Sequence, residues 1–441
     1  MTTSAAPRAL SPGYPTRLAQ LVMAGSRETL LARVGVALIV VHVLDDNFLQ
    51  PQPGTSAGDH LVSGLVPATA LLAFAAFYGR LRSGLRGVLA FAVGLFGITM
   101  GVTEAVYYSV KVGASGDDYT GFLSILAGLL LVGIGVVTLW RSRKRDDRLL
   151  RRYGRRVALA IGSVVVGYVV VFPFILTYAF THLARTTVPV ARLGAAHQDV
   201  TFRTRDGLTL RGWYVPSKNG AAIIVAPGRT GTQRHARMLV RHGYGVLVFD
   251  RRGEAESDGD PNAFGWAASR DLKAAERFVA GRPDVDRNRI GGLGLSVGGE
   301  TLLQAAAEDS GFRAVVSDGA GSRSLREDLA RSDRDKWSEV PFSVVTTAGT
   351  ALFSNQLPPP SLRNLVARIA PRALLFIYAE HGQSNEINLT QKYYEAAGDP
   401  KALWQVRGAG HTHGLSVRPR EYERRVLAFF DRALAPRQQA G

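Results

Sequence analysis

Cysteine is missing from all 441 residues. That excludes disulfides, a thiolate nucleophile and cysteine-based metal sites together. Lysine is nearly missing too: it supplies seven of the 53 basic side chains, and arginine carries the rest of a formal net charge of +17. A charge of that size suggests a nucleic-acid partner. Its placement argues against one, because the densest basic run, Arg141 to Arg156, is wedged between two apolar segments, where it marks a membrane surface. Long apolar runs are absent beyond about residue 185 and crowded before it. No short apolar stretch near the start ends in small residues suited to cleavage, so no cleavable signal peptide is expected.

What is present divides the chain in two. A bilayer core takes about 20 apolar residues in helix, and Leu61–Tyr78, Val88–Val110, Phe122–Trp140 and Val157–Thr181 meet that requirement. Leu30–Leu44 is shorter and carries Arg33 and His42, and is read as a fifth span acting as an uncleaved anchor. Tyr78, Tyr107, Tyr108, Tyr119, Trp140 and Tyr178 suit the interface, while Gly128, Gly133 and Gly135 suit close helix packing. The loops alternate in charge. Basic stretches precede the first segment, follow Tyr78 and fill Arg141 to Arg156; acidic ones hold Asp45, Asp46 and Asp59, then Asp117 and Asp118. Basic loops stay cytoplasmic, so the N-terminus is expected inside the cell membrane and the region after Thr181 outside it. His42, Asp45, Asp46, Asp59, His60 and Glu104 then share the outer half of the bundle. They read as interfacial charges, solvated or paired with Tyr107, Tyr108 or His60; the competing reading is a metal or lipid-headgroup site.

The second half alternates strand and helix signals, which implies a mostly parallel sheet with helices on both faces. It opens with a hairpin around Asp206-Gly207. Chemistry in such sheets gathers beyond the carboxyl ends of the strands. Gly294-Leu295-Ser296-Val297-Gly298 sits there, after a strand-like run and ahead of a helix-like one. A serine on so sharp a turn has its Oγ lifted clear of the sheet, and glycines on either side let the backbone crowd. A serine hydroxyl needs a base within reach before it can attack. Gly408-Ala409-Gly410-His411-Thr412-His413-Gly414, after the last strand signal, offers one. His411 is the reading, His413 the runner-up.

Those two motifs, with Gly243 to Gly253 and Ser257-Asp258-Gly259, resemble the α/β-hydrolase superfamily over residues 198–435, nearest its dienelactone hydrolase and prolyl-oligopeptidase-like branch. The membrane half resembles no family. The resemblance implies a serine hydrolase, most simply a carboxylic ester hydrolase, with Ser296 as nucleophile and His411 as base. It also implies backbone oxyanion donors at Val297 and, in the loop Ala226 to Gly231, at Arg229. Family members carry an aspartate after the strand ending near Tyr378, and none stands here. Glu386 is the expected acid, with Glu380 the alternative and Asp318 a third option. An insertion at about 321–371 implies a cap whose apolar middle suits a greasy acyl group.

The expected organisation is a tail at 1–29, an all-α membrane domain at 30–185, a linker at 186–197 and the hydrolase domain at 198–437. The expected substrate is a small-molecule or lipid-like ester, with the bilayer as a further partner and no cofactor or metal. A peptidase, or an inactive domain serving binding or sensing, are the alternatives.

Overall fold

The computed structural model describes residues 17–106, 109–110, 113–114, 116–142, 149–183, 185, 188–228, 231–308 and 311–436. Among these, four helices are long and apolar enough to cross a membrane: Ala57–Arg80, Ser83–Val106, Asp118–Arg141 and Tyr153–Thr181. They contain the regular helices α1 (Leu61–Phe77), α2 (Ser83–Gly101), α3 (Asp118–Arg141) and α4 (Phe172–Thr181), the last continuing Leu149–Val166 through a π-turn. Ahead of them Arg17–Leu44 is helical. It packs into the bundle on a stripe of Ala32, Val36, Ile39, Val40 and Val43, all buried, at the three-to-four spacing that defines one helix face.

Helices α2 and α3 meet along glycine. Gly87, Gly94 and Gly101 recur every seven residues on one, Gly121, Gly128 and Gly135 on the other. A Cβ at Gly94 would lie 2.6 Å from the Gly128 carbonyl oxygen, so only glycine permits this approach. Gly133, expected in the same role, has nothing within 4 Å of its Cβ position and plays no part. Two expected interface tyrosines are also interior. Tyr78 and Tyr178 are buried, because each hydroxyl finds a carboxylate inside the bundle, Glu28 and Glu104 respectively. Tyr119 and Trp140 are exposed as expected; Tyr107 and Tyr108 lie outside the described residues.

The second half is one eight-stranded sheet: β1 (Gln198–Arg203), β2 (Thr209–Val215), β3 (Ala222–Ala226), β4 (Gly245–Phe249), β5 (Ile290–Leu295), β6 (Ala314–Asp318), β7 (Ala373–His381) and β8 (Lys401–Gly410). The spatial order is β1-β2-β4-β3-β5-β6-β7-β8. The first two joins, β1–β2 and β2–β4, are antiparallel and the rest parallel. Strands β3, β4 and β5 are buried along their whole length, which explains their unbroken apolar runs. The chain moves outward from β3 to β4 and returns to the other side of β3 as β5. The loops leaving β3 and β5 therefore diverge, opening a crevice at the carboxyl ends.

The insertion between β6 and β7 carries a 19-residue helix, α5 (Lys336–Ser354). Instead of closing only on the sheet, it lies against the bundle. Phe342 packs on Phe172 at 6.0 Å between ring centres, and Phe353 on Phe174 and Tyr178 at 5.1 Å each. At its end Asn355 Oδ1 accepts the Val62 and Ser63 backbone N–H groups, both at 3.0 Å, and so satisfies free donors at the start of α1. Loop contacts add to this seam: Gly259 N–H donates to the Pro53 carbonyl at 2.8 Å and Ala263 N–H to that of Phe180 at 2.9 Å.

Candidate active site

Ser296 stands between the end of β5 and the helix α6 (Val297–Ala307), with φ +54° and ψ −125°. A non-glycine residue holds such a conformation only when its surroundings enforce it. Here the enforcement is crowding: a Cβ at Gly298 would lie 2.6 Å from the Pro227 carbonyl oxygen, so the elbow is pressed against the loop after β3. The result aims Oγ above the sheet edge. His411, in the turn after β8, brings Nε2 to 2.9 Å from Ser296 Oγ. Its Nδ1 lies 2.6 Å from Glu386 Oε2.

Glu386 occupies the first turn of the helix after β7, Ser384–Ala396, and forms a capping box with Gln383. The carboxylate is fully buried. Oε1 accepts the Ala379 N–H at 2.9 Å and Oε2 the Gln383 N–H at 3.2 Å. Two backbone donors plus the imidazole hold it in one orientation. Burial opposes charge on His411, but the Glu386 hydrogen bond and charge outweigh it, and the imidazole pKa lies above its ordinary value.

The other expected carboxylates are placed elsewhere. Glu380 Oε2 accepts the Gly408 N–H at 2.7 Å. Asp318 Oδ2 accepts the Tyr422 hydroxyl at 2.8 Å, and burial pushes its carboxyl up to about 7, a poor charge to steady an imidazolium. His413 starts the short helix Gly414–Val417; its backbone, not its ring, is engaged there. Val297 is the first residue of α6, whose N–H has no partner within the helix. Arg229 lies outside the described residues, although Gly228 beside it crowds Leu295 and Ser296.

Ser296 and His411 open into a cavity of about 710 Å³. Sequence reasoning missed most of its walls. Phe264 and Trp266 come from the loop before the helix Ala268–Ala280. Phe342 and Thr346 come from α5, and Tyr168 and Phe172 from the last membrane helix. Glu300 also lines it, accepting the Gly321 N–H at 3.0 Å. No local pattern marks these positions, since they meet only after the insertion docks on the bundle.

Comparison with known proteins follows this geometry. The family described as X-Pro dipeptidyl-peptidase (S15 family) matches residues 172–419. The uncharacterized protein YfhR of Escherichia coli K12 is 28% identical over 255 residues, covering 54% of this chain and 82% of that one. An uncharacterized protein of Mycobacterium tuberculosis is 30% identical over 226 residues, 49% of this chain and 73% of that one. Among solved structures, an esterase of Pyrococcus furiosus is 23% identical with a TM-score of 0.47, covering 57% of this chain and 98% of its own. With more than half its length matched, the chain belongs to the X-Pro dipeptidyl-peptidase (S15) family, within the α/β-hydrolases.

Proposed function

We propose that the chain is a membrane-anchored serine hydrolase that cleaves carboxylic esters bearing an apolar acyl group, drawn from the bilayer. One observation carries the reading: the Ser296–His411–Glu386 relay, at 2.9 and 2.6 Å, opens into a cavity walled by the last membrane helix and the apolar cap helix.

The chemistry runs in two balanced halves. His411 Nε2 takes the Ser296 proton as Oγ bonds to the ester carbonyl carbon. The oxygen, now negative, is held by the Val297 N–H and by a second donor in the loop after β3, assigned to Arg229. Collapse breaks the carbon–alkoxy bond, the alcohol leaves with the proton from His411, and Ser296 is acylated. Water then attacks, giving its proton to His411, and the acid departs as Oγ regains it. Glu386 fixes the imidazole tautomer and steadies its charged form without itself accepting the proton.

The architecture supports a membrane source for the substrate. Helix Tyr153–Thr181, 29 residues long, extends about 43 Å and exceeds the roughly 30 Å of hydrocarbon. Trp337, Val344 and Leu329 on the cap are exposed. In sequence, the basic runs Arg80–Arg86 and Arg141–Arg156 flank spans whose far ends lead to the acidic stretches and to the hydrolase domain. That separation supports an extracytoplasmic domain.

The family match favours a second reading, hydrolysis of a peptide bond by the same serine. Kinetics on purified protein separates the two. A p-nitrophenyl ester of medium chain is expected to turn over with acyl-enzyme detectable by mass spectrometry. Faster turnover of an X-Pro amide than of any ester would replace the ester assignment.

A further inference from the structure

A second group of chemistry-bearing side chains stands where the bundle meets the hydrolase domain. Asp46 follows the first helix, Glu104 lies in the π-turn that closes α2, and His182 follows α4. One ligand atom of each falls within 4.8 Å of the other two. They line a cavity of about 400 Å³ that shares no residue with the one around Ser296.

Each of the three is held from behind. His182 Nδ1 lies 3.1 Å from the Tyr178 carbonyl oxygen, so the ring proton sits there and Nε2 keeps its lone pair. A backbone carbonyl fixing the far nitrogen is the usual support of a metal-binding imidazole. Asp46 Oδ2 accepts Asn47 Nδ2–H at 2.9 Å, and Asn47 is itself held by the Ser63 hydroxyl at 2.7 Å. Glu104 Oε1 accepts the Tyr178 hydroxyl, while Oε2 faces His42 across the cluster.

His42 stands beside the cluster. Its side chain is 0% exposed. Nδ1 donates to Thr120 Oγ1 at 3.1 Å, whose own proton goes to Asp45 Oδ2 at 2.7 Å. Its Nε2 lies 2.8 Å from Glu104 Oε2, a salt-bridge distance. A cation bound at Glu104 would take the place of the proton this pair shares, because metal ligands bind in their deprotonated forms. The cavity lining is rich in acid: five carboxylates stand with one arginine, Arg185, which is engaged by the Ser257 and Gly259 carbonyls.

We propose that Asp46, Glu104 and His182 hold a divalent transition cation, with His42 the nearest further donor, and that the ion clamps the membrane helices to the hydrolase domain. Two carboxylates and an imidazole suit Zn²⁺ or Mn²⁺. Bond lengths of about 2.1 Å put tetrahedral ligand atoms about 3.4 Å apart, so side-chain rotation closes the observed spacing. Asp260, from the far side of the seam, shares the cavity; this is why binding would couple the two halves.

The test uses the full chain in detergent, stripped with chelator and re-exposed to Zn²⁺ or Mn²⁺ alone. The expected result is about one tightly held ion per chain by elemental mass spectrometry, with a rise in melting temperature of about 3–5 °C. Asp46→Asn, Glu104→Gln and His182→Gln should each lose at least ~10-fold in affinity and lose the thermal shift, while circular dichroism and elution volume stay those of folded protein. Should either bundle variant fail to fold, His182→Gln, at the cavity edge, decides. Wild type retaining neither metal, or folded variants binding as wild type does, would overturn the proposal and leave a protonated His42 paired with Glu104.

Discussion

Glycine does opposite work in the two halves of this molecule. In the bundle, Gly94 and Gly128 remove side chains so that two straight helices touch. In the hydrolase domain, Gly294 and Gly298 remove side chains so that a strained Ser296 can turn between a strand and a helix. Polarity is inverted as well. The sheet has apolar cores on both faces, whereas the bundle shows Leu72, Leu126, Val164 and other apolar side chains outward and keeps Glu28, His42 and Glu104 among its inner contacts. The lesson is that the solvent decides which surface is the greasy one, and the site forms where the two regimes meet.

The largest expected effect breaks the catalytic side of that comparison. Ser296→Ala or His411→Ala should lower kcat by about 10⁶-fold, and the double variant little further, because the two act as a unit. Glu386→Gln should lower kcat by about 10⁴-fold, with Glu380→Gln within about twofold of wild type. The pH profile sharpens this assignment. Activity needs neutral His411, so the rate falls as pH drops through its raised pKa. Removing the Glu386 charge takes away what raises it, and the acid limb of the residual kcat/KM should move to lower pH.

Next in size is the seam itself. Phe342→Ala removes a cap ring that packs on the last membrane helix. It should cost about 10–200-fold in discrimination between long and short acyl esters, measured as a ratio of kcat/KM values. Smallest is the bundle contrast. Gly94→Leu should destabilise the folded bundle by about 1–3 kcal/mol and lower its melting temperature, while Gly133→Ala, with open space around it, should leave it within about 0.5 kcal/mol.

Legibility in the sequence followed how local each feature is. The elbow at Ser296, the His411 turn and the hairpin around Asp206-Gly207 are set by neighbours a few residues away, and their patterns were readable. The sequence puts Glu386 first as the acid but leaves Glu380 and Asp318 open, because all three stand near carboxyl ends of adjacent strands. Only the tertiary approach of the His411 turn to the capping box at Gln383 separates them. Tyr168 and Phe172 carry no local mark as cavity walls, since a membrane helix and an insertion about 170 residues apart must first dock. The acidic outer end of the bundle was visible as Asp46 and Glu104. His182 was not; the turn after α2 aims Glu104 inward onto Tyr178 and His42, and the expected tyrosine partners Tyr107 and Tyr108 lie outside the described residues.

The central claim is that one hydroxyl, at the elbow, is activated by His411. Labelling the purified full-length protein with a fluorophosphonate, then locating the adduct by peptide mass spectrometry, addresses it most directly. The account predicts stoichiometric modification of Ser296, lost in Ser296→Ala and in His411→Ala. Folded protein that stays unlabelled, or carries the phosphonate on another residue, would contradict it.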